Sequence, residues 1–183
     1  MSEVSGRPEP GEYAPYAQED IARVGGDDAA AALETQIEAT LALLAPVDER
    51  RASRFRYAPR KWTIKQIVGH LSDDERIFVY RMLCLARGDR RVLRGFDDKA
   101  YMRRSGFNDR TLADLLAELR AVRASTVAFL RGLPQEAWSR SGTVNGYSAT
   151  VRGLAFHTAG HELHHRAILE ERYLAAATEP RTS

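Results

Sequence analysis

Four of the five histidines of this chain lie in the segment Phe156-His157-Thr158-Ala159-Gly160-His161-Glu162-Leu163-His164-His165-Arg166, which contains a literal H-E-x-x-H string from His161 to His165. Residues four apart on a helix share a face, so this pair presents two imidazoles at the spacing that chelates a divalent metal. The fifth histidine, His70, stands far upstream. Brought opposite the pair by helix packing, it would complete a three-histidine site with coordination positions left for water or substrate.

Counting about 100° per residue from His157, His161 and His165 fall at about 40° and 80°. They bracket a core stripe of Val151, Leu154, Ile168 and Leu169 centred near about 70°, with His157 and His164 at its edge. Imidazoles at the centre of a core stripe are costly to bury unless their nitrogens find partners, and one metal ion is a partner to both. The same arithmetic sets His70 about 100° from the stripe of its own helix, which taken alone describes a solvated edge histidine. Asp74, one turn on, is expected to orient the His70 ring. Glu75 falls inside the apolar stripe and needs a cation, either Arg81 or an arginine of another helix.

The string also matches zinc peptidases, in which Glu162 would be the general base. The surrounding residues oppose this: Glu171 stands where a third histidine belongs, Ile168 where a glycine belongs, and no strand follows to align a peptide. Glu162, at about 140°, is expected at the helix surface or behind the metal ligands. Cys84 reads as a small half-buried residue, and Trp62 and Trp138 read as packing anchors.

The elements that must position these residues are helical. Asp27 or Asp28 caps a run with Leu33, Ile37, Leu41 and Leu44 at helical spacing, stopped by Pro46. Thr63 caps a second helix to about Ala86, with Gly88 beyond it. Residues 88–110 form a crossover long enough to contribute to a site. Asp109 or Thr111 opens a third helix that ends near Gly132-Leu133-Pro134, and Ser148 is expected to cap a fourth that runs to about Ala176. The resulting expectation is an all-α four-helix bundle with long crossover connections over 27–176, an N-terminal arm of residues 1–26 that is partly irregular, and a tail of 177–183. No period-two alternation is evident.

The chain has 183 residues, 44% hydrophobic and 28% charged, which suits one domain. Its 27 basic residues are interspersed with 25 acidic ones for a net charge of +2, so no basic block marks a nucleic-acid footprint. A single cysteine, Cys84, cannot form an internal disulfide, and no secretory signal is evident, so a cytoplasmic location is expected. Charges interrupt every apolar stretch before membrane-spanning length.

Arg60-Lys61-Trp62-Thr63-Ile64-Lys65-Gln66-Ile67-Val68-Gly69-His70-Leu71, followed by Asp74-Glu75-Arg76, Tyr80-Arg81 and Ala86-Arg87-Gly88-Asp89, resembles the second helix of the DinB/YfiT-like metalloenzyme superfamily. Gly95-Phe96-Asp97 and Gly160-His161-Glu162-Leu163-His164-His165-Arg166 are similar to other segments of that superfamily, and their order and spacing carry the resemblance over about residues 28 to 175. It implies a four-helix bundle, often a homodimer, with a divalent metal, zinc or nickel, held by His70, His161 and His165. It also implies an enzyme: a thiol-dependent S-transferase that uses a low-molecular-weight thiol as co-substrate, or a hydrolase that activates water at the same site. Arginines or tyrosines of the 88–110 crossover are then candidate substrate contacts for a small molecule. A third reading is a non-catalytic, stress-linked dimeric binding protein, with Phe156 and Leu163 exposed opposite the metal face to form its interface.

Overall fold

The computed structural model describes residues 6–175; the last residue of the expected fourth helix and the 177–183 tail lie outside the described residues. Its frame is four helices, α2 (Ala29–Leu44), α4 (Ile64–Ala86), α6 (Leu112–Arg131) and α7 (Val151–Ile168), the last continued by a π-helical stretch, Leu169–Leu174. α2 and α4 each pack against both α6 and α7, closing the bundle. Every start is capped by a side chain that accepts from an otherwise unpartnered backbone N–H: Asp28 for α2, Thr63 for α4, Thr111 for α6 and Thr150 for α7. Thr63 and Gln66 form a reciprocal capping box, with bonds of 3.2 and 3.0 Å.

The connections hold more structure than the sequence pattern revealed. α3 (Glu49–Arg54) lies between α2 and α4, and α5 (Asp98–Arg104), capped by Asp97, lies within the crossover. A hairpin of β1 (Ser141–Val144) and β2 (Tyr147–Thr150) precedes α7, with Asn145 and Gly146 in the turn at positive φ. Thr150, not Ser148, therefore caps α7, since Ser148 pairs with Thr143 in the hairpin. Four-residue strands are too short for alternation to register against the helical background.

The N-terminal segment lies along α7 and carries a short helix, α1 (Gln18–Ala22). Its backbone touches α7 at two glycines: a Cβ on Gly153 would stand 2.0 Å from the Glu12 carbonyl oxygen, and one on Gly160 would stand 2.1 Å from that of Asp20. Arg7 pins the segment's far end by donating to the carbonyls of Ile21, Val24 and Gly26. Phe156, expected to be exposed, is thereby fully buried among Ala17, Ile21 and Val24, and Leu163 is half-buried against the same cluster. The face expected to meet a partner is thus largely covered by the chain's own N-terminal segment. A five-residue helix gives too little periodicity to betray this cover.

Two apolar clusters fill the bundle. One holds Leu33, Phe78, Met82, Leu130 and Phe156; the other holds Ile37, Val68, Leu115, Leu119 and Leu169. Between them each helix contributes polar residues: Gln36 from α2, His70, Asp74 and Glu75 from α4, Arg123 from α6, and His161, Glu162 and His165 from α7. The molecule is thus crossed at mid-height by a polar layer. Among the described residues no helix is long and apolar enough to cross a membrane.

Candidate metal centre

In that layer α4 faces α7 and brings His70 to the His161/His165 pair. The His161 Nε2 lies 3.3 Å from His70 Nε2 and 3.1 Å from His165 Nε2. One ligand atom from each ring lies within 4.8 Å of the others, and among the described residues this is the one such cluster. His70 is buried rather than solvated, with the Trp62 ring against it at 4.7 Å, and the other two imidazoles are half-buried.

The donor chemistry fits a cation. A neutral imidazole nitrogen carries either one N–H or one lone pair, so the His161 Nε2 cannot make good hydrogen bonds to both neighbours with one atom. Three lone pairs on a common metal at about 2.0–2.1 Å would instead stand about 3.3 Å apart in a tetrahedral arrangement, close to the two separations seen. Behind the cluster, Asp74 Oδ2 lies 3.2 Å from His161 Nδ1, where it fixes the tautomer that leaves Nε2 for a metal. Asp74 therefore serves His161 across the helix interface, not His70 on its own helix. The His165 Nδ1 is buried with no partner, which leaves Nε2 as that ring's engaged nitrogen.

Desolvation governs the titration of these groups. It lowers His70 to about 4 and His165 to about 3, the latter helped by the neighbouring imidazoles, and it holds His161 well below the ordinary histidine value. All three are neutral near pH 7, the form that binds metal. Burial likewise raises Asp74 to about 7, against the pull of Arg81.

The remaining histidines of the string turn elsewhere. His157 Nε2 and His164 Nδ1 stand 3.6 and 3.4 Å from the two oxygens of Asp20, on α1. Burial raises the Asp20 pKa, but these imidazoles outweigh it and keep the carboxyl below its ordinary value. Glu162, expected at the surface or behind the ligands, is 2% exposed and belongs to a different cluster. It accepts from Thr40 at 2.6 Å and Gln36 at 2.6 Å and pairs with Arg123 at 2.7 Å, while Arg123 also grips Glu75 with two bonds of 2.9 and 2.8 Å. Arg123, not Arg81, is thus the cation that Glu75 required.

The histidine cluster borders two cavities. One, of about 290 Å³, is lined by His70, His161, Asp74 and Arg81 and roofed by Tyr16 and Asn145; the other, of about 490 Å³, is lined by His165, Trp62, Tyr57 and Tyr173. Asp98 lines both. A larger cavity, about 650 Å³, is an alanine-walled groove between α2 and α6 that contains no histidine. From the crossover, Phe96 and Asp98 line the 290 Å³ cavity; none of the crossover's arginines or tyrosines does. Its backbone explains the placement: Leu93 pairs with Thr143 and Asn145 of the hairpin, and Gly95 passes so close to Asn145 that a Cβ would stand 2.0 Å from its Oδ1. Phe96 lies in a segment that carries the family resemblance, but nothing in the sequence places it, Tyr16 or Asn145 at the cavity, because each reaches it from a connection whose path only the folded chain defines.

The DinB superfamily matches residues 32–169 of the chain. No curated protein matches it. Among solved structures the fold is similar to that of YfiT from Bacillus subtilis, described as a probable metal-dependent hydrolase with an unusual four-helix bundle topology, with a TM-score of 0.76 at 19% identity over 95% of this chain and 96% of that one.

Proposed function

The chain belongs to the DinB superfamily, and from that membership and the convergence of three imidazoles we propose that it is a metal-dependent enzyme with His70, His161 and His165 as the ligands of a zinc or nickel ion. The observation that carries this reading is the pair of Nε2 separations, 3.3 and 3.1 Å, among three buried or half-buried neutral donors with a carboxylate behind the middle one. When bound, a divalent cation with three neutral ligands keeps its full charge, lowers the pKa of a thiol or a water and holds the resulting nucleophile. His70, His161 and His165 would fix its position, Asp74 orients His161, and the Trp62 ring packs against His70 and restrains it.

Transfer from a low-molecular-weight thiol to an electrophile is the activity favoured here, because the cluster opens on two cavities and a transfer between two small molecules needs room for both. Cys84 is buried in the apolar cluster, so the thiol must come from solution. Hydrolysis is the second reading, favoured by the description of YfiT as a probable metal-dependent hydrolase. A homodimer is the expected assembly, supported by the superfamily resemblance, and a cytoplasmic location is the expectation from the single cysteine, Cys84.

The test is elemental analysis of untagged protein beside His70→Ala, His161→Ala, His165→Ala and His157→Ala. About one zinc or nickel per chain is expected in wild type and His157→Ala and in none of the other three. No uptake by wild type when either metal is offered would remove the enzyme reading. Thiol consumption with a model electrophile, against ester or amide turnover without thiol, then separates the two activities.

A further inference from the structure

Among the described residues two arginines are buried within the bundle, and only one makes an ion pair. Arg123, 3% exposed, holds Glu75 and Glu162; Arg81, on α4 and 5% exposed, has no carboxylate within ion-pair distance among the described residues. Its single hydrogen bond runs from Nη2 to the Arg94 carbonyl at 3.0 Å. Nε and Nη1 make no hydrogen bond within the described residues, yet they keep accessible surface, and Arg81 lines both the 290 Å³ cavity and its 320 Å³ neighbour beneath the crossover. Phe78 and Phe96 place their rings 5.2 and 5.7 Å from the guanidinium carbon. Asp74, whose charge reaches Arg81, is already engaged by His161.

A buried, unpaired cation is costly. A fork of donors held between aromatic rings and open to a cavity is well suited to a planar carboxylate. His70 and Arg81 are eleven residues apart on one helix, about 16 Å between Cα atoms, which the long side chain shortens by leaning back toward His70. The cavity therefore has a histidine end and a guanidinium end. With a single cation at that end, and with Asp20, Asp74 and Asp98 along the walls, a monoanion is accommodated better than a phosphate dianion.

We propose that Arg81 is the anion-recognition residue of this site and that the substrate is a small molecule bearing a carboxylate at the end remote from its reacting atom. The identification of the ligand as a substrate rests on the enzyme reading above, whereas the carboxylate site itself needs no metal.

The full chain, with and without zinc, would be titrated with butyrate, hexanoate, 4-phenylbutyrate, their primary amides and methyl phosphate, following the Arg81 Nε–H resonance by NMR and the heat of binding. Carboxylates are expected to shift that resonance saturably in both states and to bind about 10- to 100-fold more tightly than the amides, the worth of a charge-assisted hydrogen bond. Arg81→Gln should abolish the preference with zinc content unchanged, and Arg81→Lys should restore part of it. No saturable shift with any carboxylate in wild type, equal binding of the amides, undiminished binding by Arg81→Gln, or a preference for methyl phosphate would each overturn the proposal. Carboxylate binding without zinc uptake would remove the metal reading alone, and zinc uptake without carboxylate binding would remove the Arg81 proposal alone.

Discussion

The polar layer contains two clusters built from neighbouring residues of the same helices. Asp74 and His161 belong to the histidine cluster; Glu75 and Glu162, one residue further along each helix, belong to the Arg123 network. The Arg123 network is closed: both carboxylates accept from the guanidinium, Gln36 and Thr40 complete Glu162, and Arg123 Nη1 donates to the Leu33 carbonyl at 2.8 Å. The histidine cluster is open: three nitrogens converge, each with a proton or a lone pair but not both, so they cannot satisfy one another, the His165 Nδ1 has no partner, and two cavities adjoin. Both lie inside the bundle and both contain carboxylates. Satisfaction separates them: a finished network fixes how four helices meet, whereas one short of a partner marks where something else binds.

The sharpest break in this comparison is Arg123→Met. It leaves two buried carboxylates without their cation, so urea denaturation should register a loss of about 3–5 kcal/mol. A loss under 1 kcal/mol would mean that the network does not hold the bundle.

Acid should act on the other cluster. In the unfolded chain histidines titrate near about 6.5, while in the folded chain His70 does so at about 4 and His165 at about 3. Because folding depresses these values, the unfolded chain binds protons that the folded one refuses. The corresponding stability is fully present above the unfolded pKa and is lost as pH falls from there through the folded values, at up to about 1.4 kcal/mol per pH unit for each histidine. Asp74, raised to about 7 in the folded chain, acts in the opposite sense with one carboxyl against the buried histidines, so urea midpoints measured in EDTA from pH 7 to pH 4.5 should fall by the net of the two, and less steeply in His165→Ala. A flat profile would contradict the burial of neutral imidazoles.

How much of this was legible in the sequence follows from how many elements must meet at each residue. That His161 and His165 share an inward face needs one helix, and the apolar periodicity of α7 suffices. His70 needed the family resemblance, because the stripe of α4 was drawn from apolar residues while the polar layer widens the buried arc to include it. The partner of Asp74 depends on how α4 crosses α7, which spacing along α4 cannot encode. Glu162 and Phe156 differ from expectation for a shared reason: the sequence shows a single apolar stripe on α7, yet α2 covers one further side and the N-terminal segment another. From the sequence Arg81 reads as one candidate partner for Glu75; Arg123 fills that place in the folded chain and leaves Arg81 without an ion pair among the described residues.

Zinc should stabilise the native state of the wild type, by about 2.7 kcal/mol when free metal is at 100 times Kd, and should leave the Tm of His161→Ala unchanged. Equal stabilisation of both proteins would locate the metal elsewhere.

The finest test exchanges one charge on either side of the same helix position. Asp74→Asn keeps an acceptor for His161 Nδ1 but removes the carboxylate, and zinc affinity should fall about 10- to 100-fold with little change in urea midpoint. Glu75→Gln, next in the chain, should do the reverse, costing about 1.5–3 kcal/mol of stability from the weakened bonds to Arg123 with zinc affinity retained. The two substitutions remove the same formal charge within one residue of each other, so a difference in their effects reports which cluster each serves. If both lowered stability and neither altered zinc binding, Asp74 would belong to the framework, and the histidines would have lost the carboxylate that makes them a site.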